Sequence, residues 1–413
     1  MKKYLLVGGS LVAVAAIIFT ATQWTNIKRF QYALSLFSGS EQFENFANIK
    51  NLFPVSEMTP STSPYSFPNA DRIVLPESFS YQDTTWNTEE FLSTTDTGAL
   101  LVLKSGEVVY EQYSLSGGVD VNWLSMSVAK SFTSLALGIA IDEGLISSIE
   151  DPVTDYLPSL KQSAYDNVRI KDILQMSSGA AWNEDYSDPD SEVLRMGKIM
   201  ALGGSLDEFI TTLERDRKPG TFNQYNSADT QVLGALLVKA TGRTMTDYMQ
   251  EKIWQPLGME NSGYWIVDDY NMEMAFAGLN VTARDYAKLG ELYRNLGNWQ
   301  GKQIVSADWI KASVTPDAPH LLPGDNPLSD FPLGYGYQWW VMDGNQGEYS
   351  AVGVYNQFIY VNPQQDTVIV KLSANSAYGT DSNSESANKE LATIELFRAI
   401  SNTNRVRSQE QQL

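Results

Sequence analysis

The sequence predicts an α/β chain in which one antiparallel sheet is built from both chain ends, with flanking helices and an inserted, mainly helical lobe. Three observations predict it. Ala99-Leu100-Leu101-Val102-Leu103-Lys104, Ser105-Gly106 and Glu107-Val108-Val109-Tyr110-Glu111-Gln112-Tyr113 follow one another as strand, two-residue turn and strand. Strand patterns return only toward the other end, over 336–342, 357–361 and 367–372, ahead of a closing helix over 386–400. From 145 to 303 the signals are helical and loop-like: 170–176 and 231–240 are apolar and periodic, and Pro152, Pro158, Pro189, Pro219 and Pro256 punctuate the intervals.

Taken in order, Met1-Lys2-Lys3 precedes an apolar run from Tyr4 to Thr20, so 1–26 fits either a secretory signal or an N-terminal membrane anchor. The basic start directs the remaining chain away from the cytoplasm, to the periplasm or the exterior, and the lack of cysteine is compatible with an oxidising compartment. Residues 27–90 set Pro54, Pro60, Pro64, Pro68 and Pro76 among Ser and Thr and read as a tether and wrapping segment. The folded domain spans 91–403, and 404–413 is a polar tail. No internal repeat is present.

Composition excludes several chemistries. Asp plus Glu is 49 against 29 Lys plus Arg, a net charge of -20 that repels phosphate backbones and argues against a nucleic-acid partner. No cysteine and a single histidine, His320, remove a Cys nucleophile, Cys- or His-rich zinc sites and a HExxH metalloprotease. His320 lies in a Pro-rich stretch and no G-x-S-x-G elbow accompanies it, so a serine enzyme built on this chain takes its base elsewhere. No cofactor is implied.

The stretch Trp123-Leu124-Ser125-Met126-Ser127-Val128-Ala129-Lys130-Ser131-Phe132 places a hydroxyl and an amine three residues apart at a helix start, where i and i+3 share a face. Val128, Phe132, Leu135, Ala136, Ile139 and Ala140 recur at helical spacing and Gly144 is a C-terminal stop, so this helix belongs in a core. An amine there is desolvated, which lowers its pKa toward that of a general base. Ser386-Ala387-Asn388-Lys389 has the same spacing but follows a polar run, and Ser386 reads as the N-cap of a surface helix. From the residues alone, Ser127 is either a helix cap or a nucleophile with Lys130 as its base.

Ser127-Val128-Ala129-Lys130, the hairpin and the C-terminal strands together resemble the serine β-lactamase and penicillin-binding-protein superfamily, in its class C-like branch. The segments 169–179, 219–227, 278–285 and 334–340 are similar to further family segments, so the resemblance spans about 90–400. It implies a β-lactamase/transpeptidase-like fold, acylation of Ser127, and proton transfer by Lys130 and Tyr225, the phenol being expected to ionise below its free pKa beside the ammonium.

Two departures narrow the resemblance. The family's Tyr-x-Asn is here Tyr225-Asn226-Ser227, which makes Asn226 and Ser227 the candidate substrate contacts. Its Lys/His-x-Gly is Ala351-Val352-Gly353, without a cation to hold a substrate carboxylate. These features, with 184–191 and 351–361, resemble 6-aminohexanoate-dimer hydrolases and related class C-like esterases. That implies a loop tyrosine, Tyr186, near the leaving amine, an oxyanion hole of the Ser127 and Val354 backbone N–H groups, and Gly353 in the substrate site. Asp185, Asp188 and Asp190 are candidates to attract a substrate ammonium.

The expectation is an extracytoplasmic serine hydrolase that cleaves a small linear amide or ester through an acyl-enzyme, with membrane contact only through an uncleaved N-terminal segment. The alternatives are a carboxylesterase, a D-amino-acid peptidase or weak β-lactamase disfavoured by Ala351, and a membrane-tethered acylatable sensor with slow turnover. Oligomeric state is not encoded legibly.

Overall fold

Both ends of the chain meet in one seven-stranded antiparallel sheet. Its strands are β1 (Thr97–Lys104), β2 (Glu107–Tyr113), β3 (Gly334–Tyr335), β4 (Trp340–Val341), β5 (Tyr349–Gly353), β6 (Gln357–Asn362) and β7 (Thr367–Ser373), in the spatial order β3-β4-β5-β6-β7-β1-β2. This computed structural model describes residues 31, 36–37, 41–51, 53–380 and 384–404. The signal or anchor expected over 1–26, and the tail beyond Asn404, lie outside the described residues. Among the described residues, no helix is long and apolar enough to cross a membrane.

The β1–β2 turn falls at Ser105 (φ 53°) and Gly106 (φ 79°), the paired positive φ values that a two-residue hairpin needs. Both sheet faces are covered. Leu101, Leu103, Ile359, Val361, Val368 and Val370 enter the main core, whereas Leu100, Val102, Phe358, Tyr360 and Ile369 enter a second one. Burial on both faces explains why these strands read as almost unbroken apolar runs. Helix α3 (Ala283–Arg294) lies so close to the first face that a Cβ on Gly290 would stand 2.6 Å from Val368. On the second face α4 (Glu390–Ser401) packs Phe397 against the rings of Phe358 and Tyr360.

Where expectation and structure differ, a distant partner decides. The strand expected over 336–342 is split into β3 and β4 by a turn at Gln338 (φ 63°). Gln338 is pinned to the helical lobe: its side chain accepts from Thr230 Oγ1 (2.6 Å) and donates to the Leu174 carbonyl (2.9 Å). Strand β5 was not anticipated, and neither were Gly263–Ile266 and Leu279–Val281. The closing helix is broken at Lys389 (φ 54°), so Ser386 sits inside a short helix, Ser384–Asn388, and does not cap a long one. Residues 53–90 carry more regular structure than their prolines suggest. Val55–Met58 pairs with Gly263–Ile266, and Ser78–Tyr81 pairs with Thr84–Asn87.

A second, four-stranded sheet positions the nucleophile segment. It runs Val55–Met58, Gly263–Ile266, Leu279–Val281, Trp123–Leu124, and its last strand leads through Ser125 into α1 (Ala129–Asp142). Every α1 residue from Ala129 to Ala140 is buried, and its hydroxyls are satisfied by carbonyls: Ser131 donates to Gln338, Thr133 to Ala275 and Ser134 to Tyr337. Beside it lies α2 (Ser227–Thr241), capped by Asn226 and closed by Gly242 (φ 66°).

The first turn of α2 holds a fully buried carboxyl, Asp229. Its Oδ1 accepts from Tyr165 (3.0 Å) and Ser178 (2.6 Å), while Oδ2 has no partner among the described residues. Burial pushes its pKa up to about 7. The unfolded chain releases this proton near 3.8, so the folded state binds more protons between there and about 7, and stability falls as pH rises through that window. Asp229→Asn removes the titration. Its urea midpoint is expected to change less between pH 5 and 8 than that of the parent, with a gain at pH 8.

Candidate active site

Ser127 stands on a strained corner. Met126 has φ 46°, in the left-handed region that costs an L-residue about 1–2 kcal/mol, and Met126–Val128 form a single 3-10 turn before α1. Gly353, at the end of β5, backs this corner. A Cβ there would lie 2.8 Å from the Ser125 carbonyl and 3.0 Å from the Ser127 nitrogen, so only glycine lets the strand approach. The Ser127 N–H belongs to the first turn, where no intrahelical acceptor exists, and the next residue after Gly353 is Val354, which lines the same cavity as Ser127.

Lys130 is 2% exposed. Its Nζ donates to Ser127 Oγ (2.8 Å), Ser227 Oγ (3.1 Å) and the Phe276 carbonyl (3.0 Å), three acceptors for three protons. Burial lowers its pKa to about 7, and the charge of Glu184 limits the fall. In the decoy, by contrast, Lys389 Nζ donates to the Ser386 carbonyl and not to its hydroxyl.

Glu184 is the residue that sequence reasoning passed over. Its Oε1 accepts from Ser227 Oγ (2.6 Å) and the Tyr186 hydroxyl (2.8 Å), and its Oε2 accepts from the Ser227 N–H (3.1 Å) and the Trp182 indole. It thus sits at the N-terminus of α2, where a carboxylate is stabilised, and connects through one hydroxyl to Lys130. Its only sequence signal is its place in the 184–191 segment.

Tyr225 presents its ring 5.0 Å from Lys130 Nζ and stacks on Trp340 (centroids 5.2 Å apart, 22° between planes). Its phenol is not held ionised. Burial, reinforced by Glu184, pushes the pKa well above 10, and a hydrogen bond with Ser127 opposes this only in part. The phenol expected to ionise below its free pKa is instead held neutral by burial and by the charge of Glu184.

A cavity of about 660 Å³ opens beside these groups, lined by Ser127, Tyr186, Tyr225 and Val354 among others. Lys130, Ser227 and Gly353 lie behind its wall. Asn226 is not a lining residue either. It is 2% exposed, and its carbonyl oxygen accepts from the Ala228 (2.8 Å) and Asp229 (3.3 Å) N–H groups, so it serves as a helix cap and not as a substrate contact. Ser227 likewise faces Lys130 and Glu184. Of the three loop acids only Asp185 lines the cavity; Asp188 accepts from Asn183 and Asp190 within the loop. His320 is not among the residues that line the cavity. Among the described residues, no group of His, Cys, Asp and Glu side chains is arranged to hold a metal ion.

The β-lactamase family profile matches residues 89–393. The 6-aminohexanoate-dimer hydrolase of Paenarthrobacter ureafaciens is 34% identical over 294 residues, which are 69% of this chain and 74% of that one. A β-lactamase of Yersinia enterocolitica is 29% identical over 200 residues, 48% of this chain and 47% of its own. Among solved structures, a Bacillus anthracis protein provisionally assigned as a 6-aminohexanoate-dimer hydrolase superposes with a TM-score of 0.80 at 22% identity, covering 89% of this chain and 95% of its own; this likeness shows the fold. The profile match and the relative in Paenarthrobacter, taken with the fold, establish that this chain belongs to the β-lactamase family of serine hydrolases.

Proposed function

We propose that the chain hydrolyses a small linear amide or ester outside the cytoplasm through an acyl-enzyme on Ser127. The observation that carries this reading is the buried Lys130 amine, poised near neutrality 2.8 Å from the Ser127 hydroxyl. A neutral amine accepts the hydroxyl proton along that same line as Oγ attacks the substrate carbonyl. The oxyanion is held by the N–H groups of Ser127 and Val354, the first at a helix start whose dipole favours negative charge. Collapse of the tetrahedral adduct needs a proton on the leaving group. Lys130 returns the proton it took by way of Ser127 Oγ, and the neutral Tyr225 phenol, hydrogen-bonded with Ser127, relays it by passing one proton on as it takes another. Water then reverses the sequence and releases the acid.

Glu184 and Ser227 support Lys130 in this scheme. Their hydrogen bonds orient the amine, and the carboxylate offsets part of the burial that would otherwise depress its pKa further. Tyr186, bonded to Glu184, is one of four tyrosines that line the cavity, and the family resemblance gives it the role of assisting an amine leaving group. The location outside the cytoplasm rests on the basic and apolar start of the sequence.

Ser127→Ala is expected to lower hydrolysis of 6-aminohexanoate linear dimer and short-chain nitrophenyl esters by at least about 10³-fold and to abolish any acyl adduct in intact mass. Lys130→Arg should lose about 10²–10⁴-fold, since a guanidinium cannot accept the proton. Full activity in either variant rejects the scheme. In the parent, kcat/KM should rise as pH passes through about 7, because the base works only when Lys130 is deprotonated. Glu184→Gln removes an anion that raises this pKa, so the rising limb should move to lower pH. A limb that stays in place would assign the titration to another group.

A further inference from the structure

Val354 sits in a turn of unfavourable shape. Residues 354–356 join β5 to β6 and are closed by the Gly353–Gln357 pair. Tyr355 (φ 64°) and Asn356 (φ 66°) are consecutive left-handed residues. Asparagine is enriched in that region, whereas a side chain as large as tyrosine is an outlier there. Turning over the peptide between 354 and 355 would return Tyr355 to an ordinary φ and swing the Val354 carbonyl round with it. The loop has only three residues between fixed ends, so a rotation at one peptide is taken up by the others. The direction of the Val354 N–H is therefore only as fixed as the carbonyls that follow it.

One buried amide holds those carbonyls. Gln357 is fully buried, and its Nε2 donates to the carbonyls of Val354 (3.2 Å), Tyr355 (3.0 Å) and Ser373 (2.6 Å). Its Oε1 accepts from the Trp123 indole N–H (3.1 Å) and the Ser373 N–H (3.0 Å). An indole and a backbone N–H can only donate and a carbonyl can only accept, so the amide has a single orientation that satisfies all of them. The two bonds with Ser373 extend the β6–β7 ladder. The other three lead away from it, to the turn and to the strand Trp123–Leu124 that runs into Ser127. The outer side of the turn is held separately: the Tyr355 ring packs against Phe46 and Tyr378, and the Asn356 side chain bonds Asn375 and the Asn388 carbonyl.

We infer that Gln357 is a positioning residue for the reaction: by pinning the Val354 and Tyr355 carbonyls to the nucleophile strand, it keeps the Val354 N–H aimed at the oxyanion that forms beside Ser127. The inference deepens the acyl-enzyme reading and rests on it for the role of Val354. Gln357 is not among the residues that line the cavity, so it touches no substrate. Its effect is felt where negative charge develops on the carbonyl oxygen, which happens in the transition state and not on binding. Gly353 fixes the same N–H from the other side, through its close approach to the Ser125 carbonyl and the Ser127 nitrogen. The donor is thus clamped on both flanks, and both clamps are tied to the segment that carries the nucleophile.

The test compares the parent with Gln357→Met, which keeps the length of the side chain and removes the amide, in full-length protein whose fold is checked by circular dichroism. On a short-chain nitrophenyl ester the variant should lose at least about tenfold in kcat with KM within about threefold of the parent. Butylboronic acid, whose tetrahedral adduct on Ser127 puts an anionic oxygen where the oxyanion forms, should bind the variant at least about tenfold more weakly. If Gln357→Met does not fold, Gln357→Asn, which keeps the amide but cannot span the same distance, is held to the same split between kcat and KM. A loss confined to KM, or a boronate affinity equal to that of the parent, overturns the proposal. If the parent shows neither ester turnover nor an acyl adduct, the acyl-enzyme reading fails on its own. Hydrogen exchange of the peptide covering 350–358 then decides the clamp: faster exchange in the variant with the rest of the sheet unchanged is expected, and equal exchange overturns it.

Discussion

The site depends on one interaction, a buried amine with every proton engaged. Taking an ammonium out of water costs several kcal/mol even after relaxation, and the chain meets this cost by surrounding Lys130 with Ser127 Oγ, Ser227 Oγ and the Phe276 carbonyl. Neutralising the amine meets the rest, which is why its pKa falls to about 7. The same requirement shapes α1. A helix buried from Ala129 to Ala140 leaves Lys130 no route to solvent, and its hydroxyls must find carbonyls on neighbouring elements. Those contacts lock α1 to the segment around Gln338 and to the Ala275 backbone, so the position of Lys130 is tied to both.

Ser227 has a definite place in this arrangement. A side-chain amide at that position would present both donors and acceptors to Lys130, whereas a hydroxyl accepts from the amine and donates to Glu184 in one direction. Asn226, one position earlier, caps α2 and fixes the helix start that Glu184 also engages. Ser227 thus takes part in holding Lys130 in place.

The local parts of this site were legible in the sequence and the distant parts were not. Ser127 and Lys130 are three residues apart in an apolar periodic stretch, and the 97–113 hairpin has its turn chemistry written at Ser105-Gly106. Glu184, Asp330 and Glu390 come from three separate loops or helix ends, in a chain with 49 acidic residues, and no spacing distinguishes them from solvated ones. Tyr225 was identified through its motif, but the direction of its pKa shift depends on burial and on Glu184, neither of which the motif contains. Strand β5 and the strand at Gly263–Ile266 lack the alternation that marks a half-buried strand, because most of their residues are enclosed on both faces.

The electrostatics divide the site into two zones with opposite demands. Behind Ser127 the protein keeps a cation-forming group as nearly neutral as burial allows, with one carboxylate to stop the pKa falling out of range. In front of it, the cavity keeps anion-forming groups partly protonated by the same means, burial and like charge, at Asp330 and Glu390. Each zone is costly in isolation. Both shifts have one origin, burial, which lowers the pKa of a group that is cationic when protonated and raises that of groups that are anionic when deprotonated.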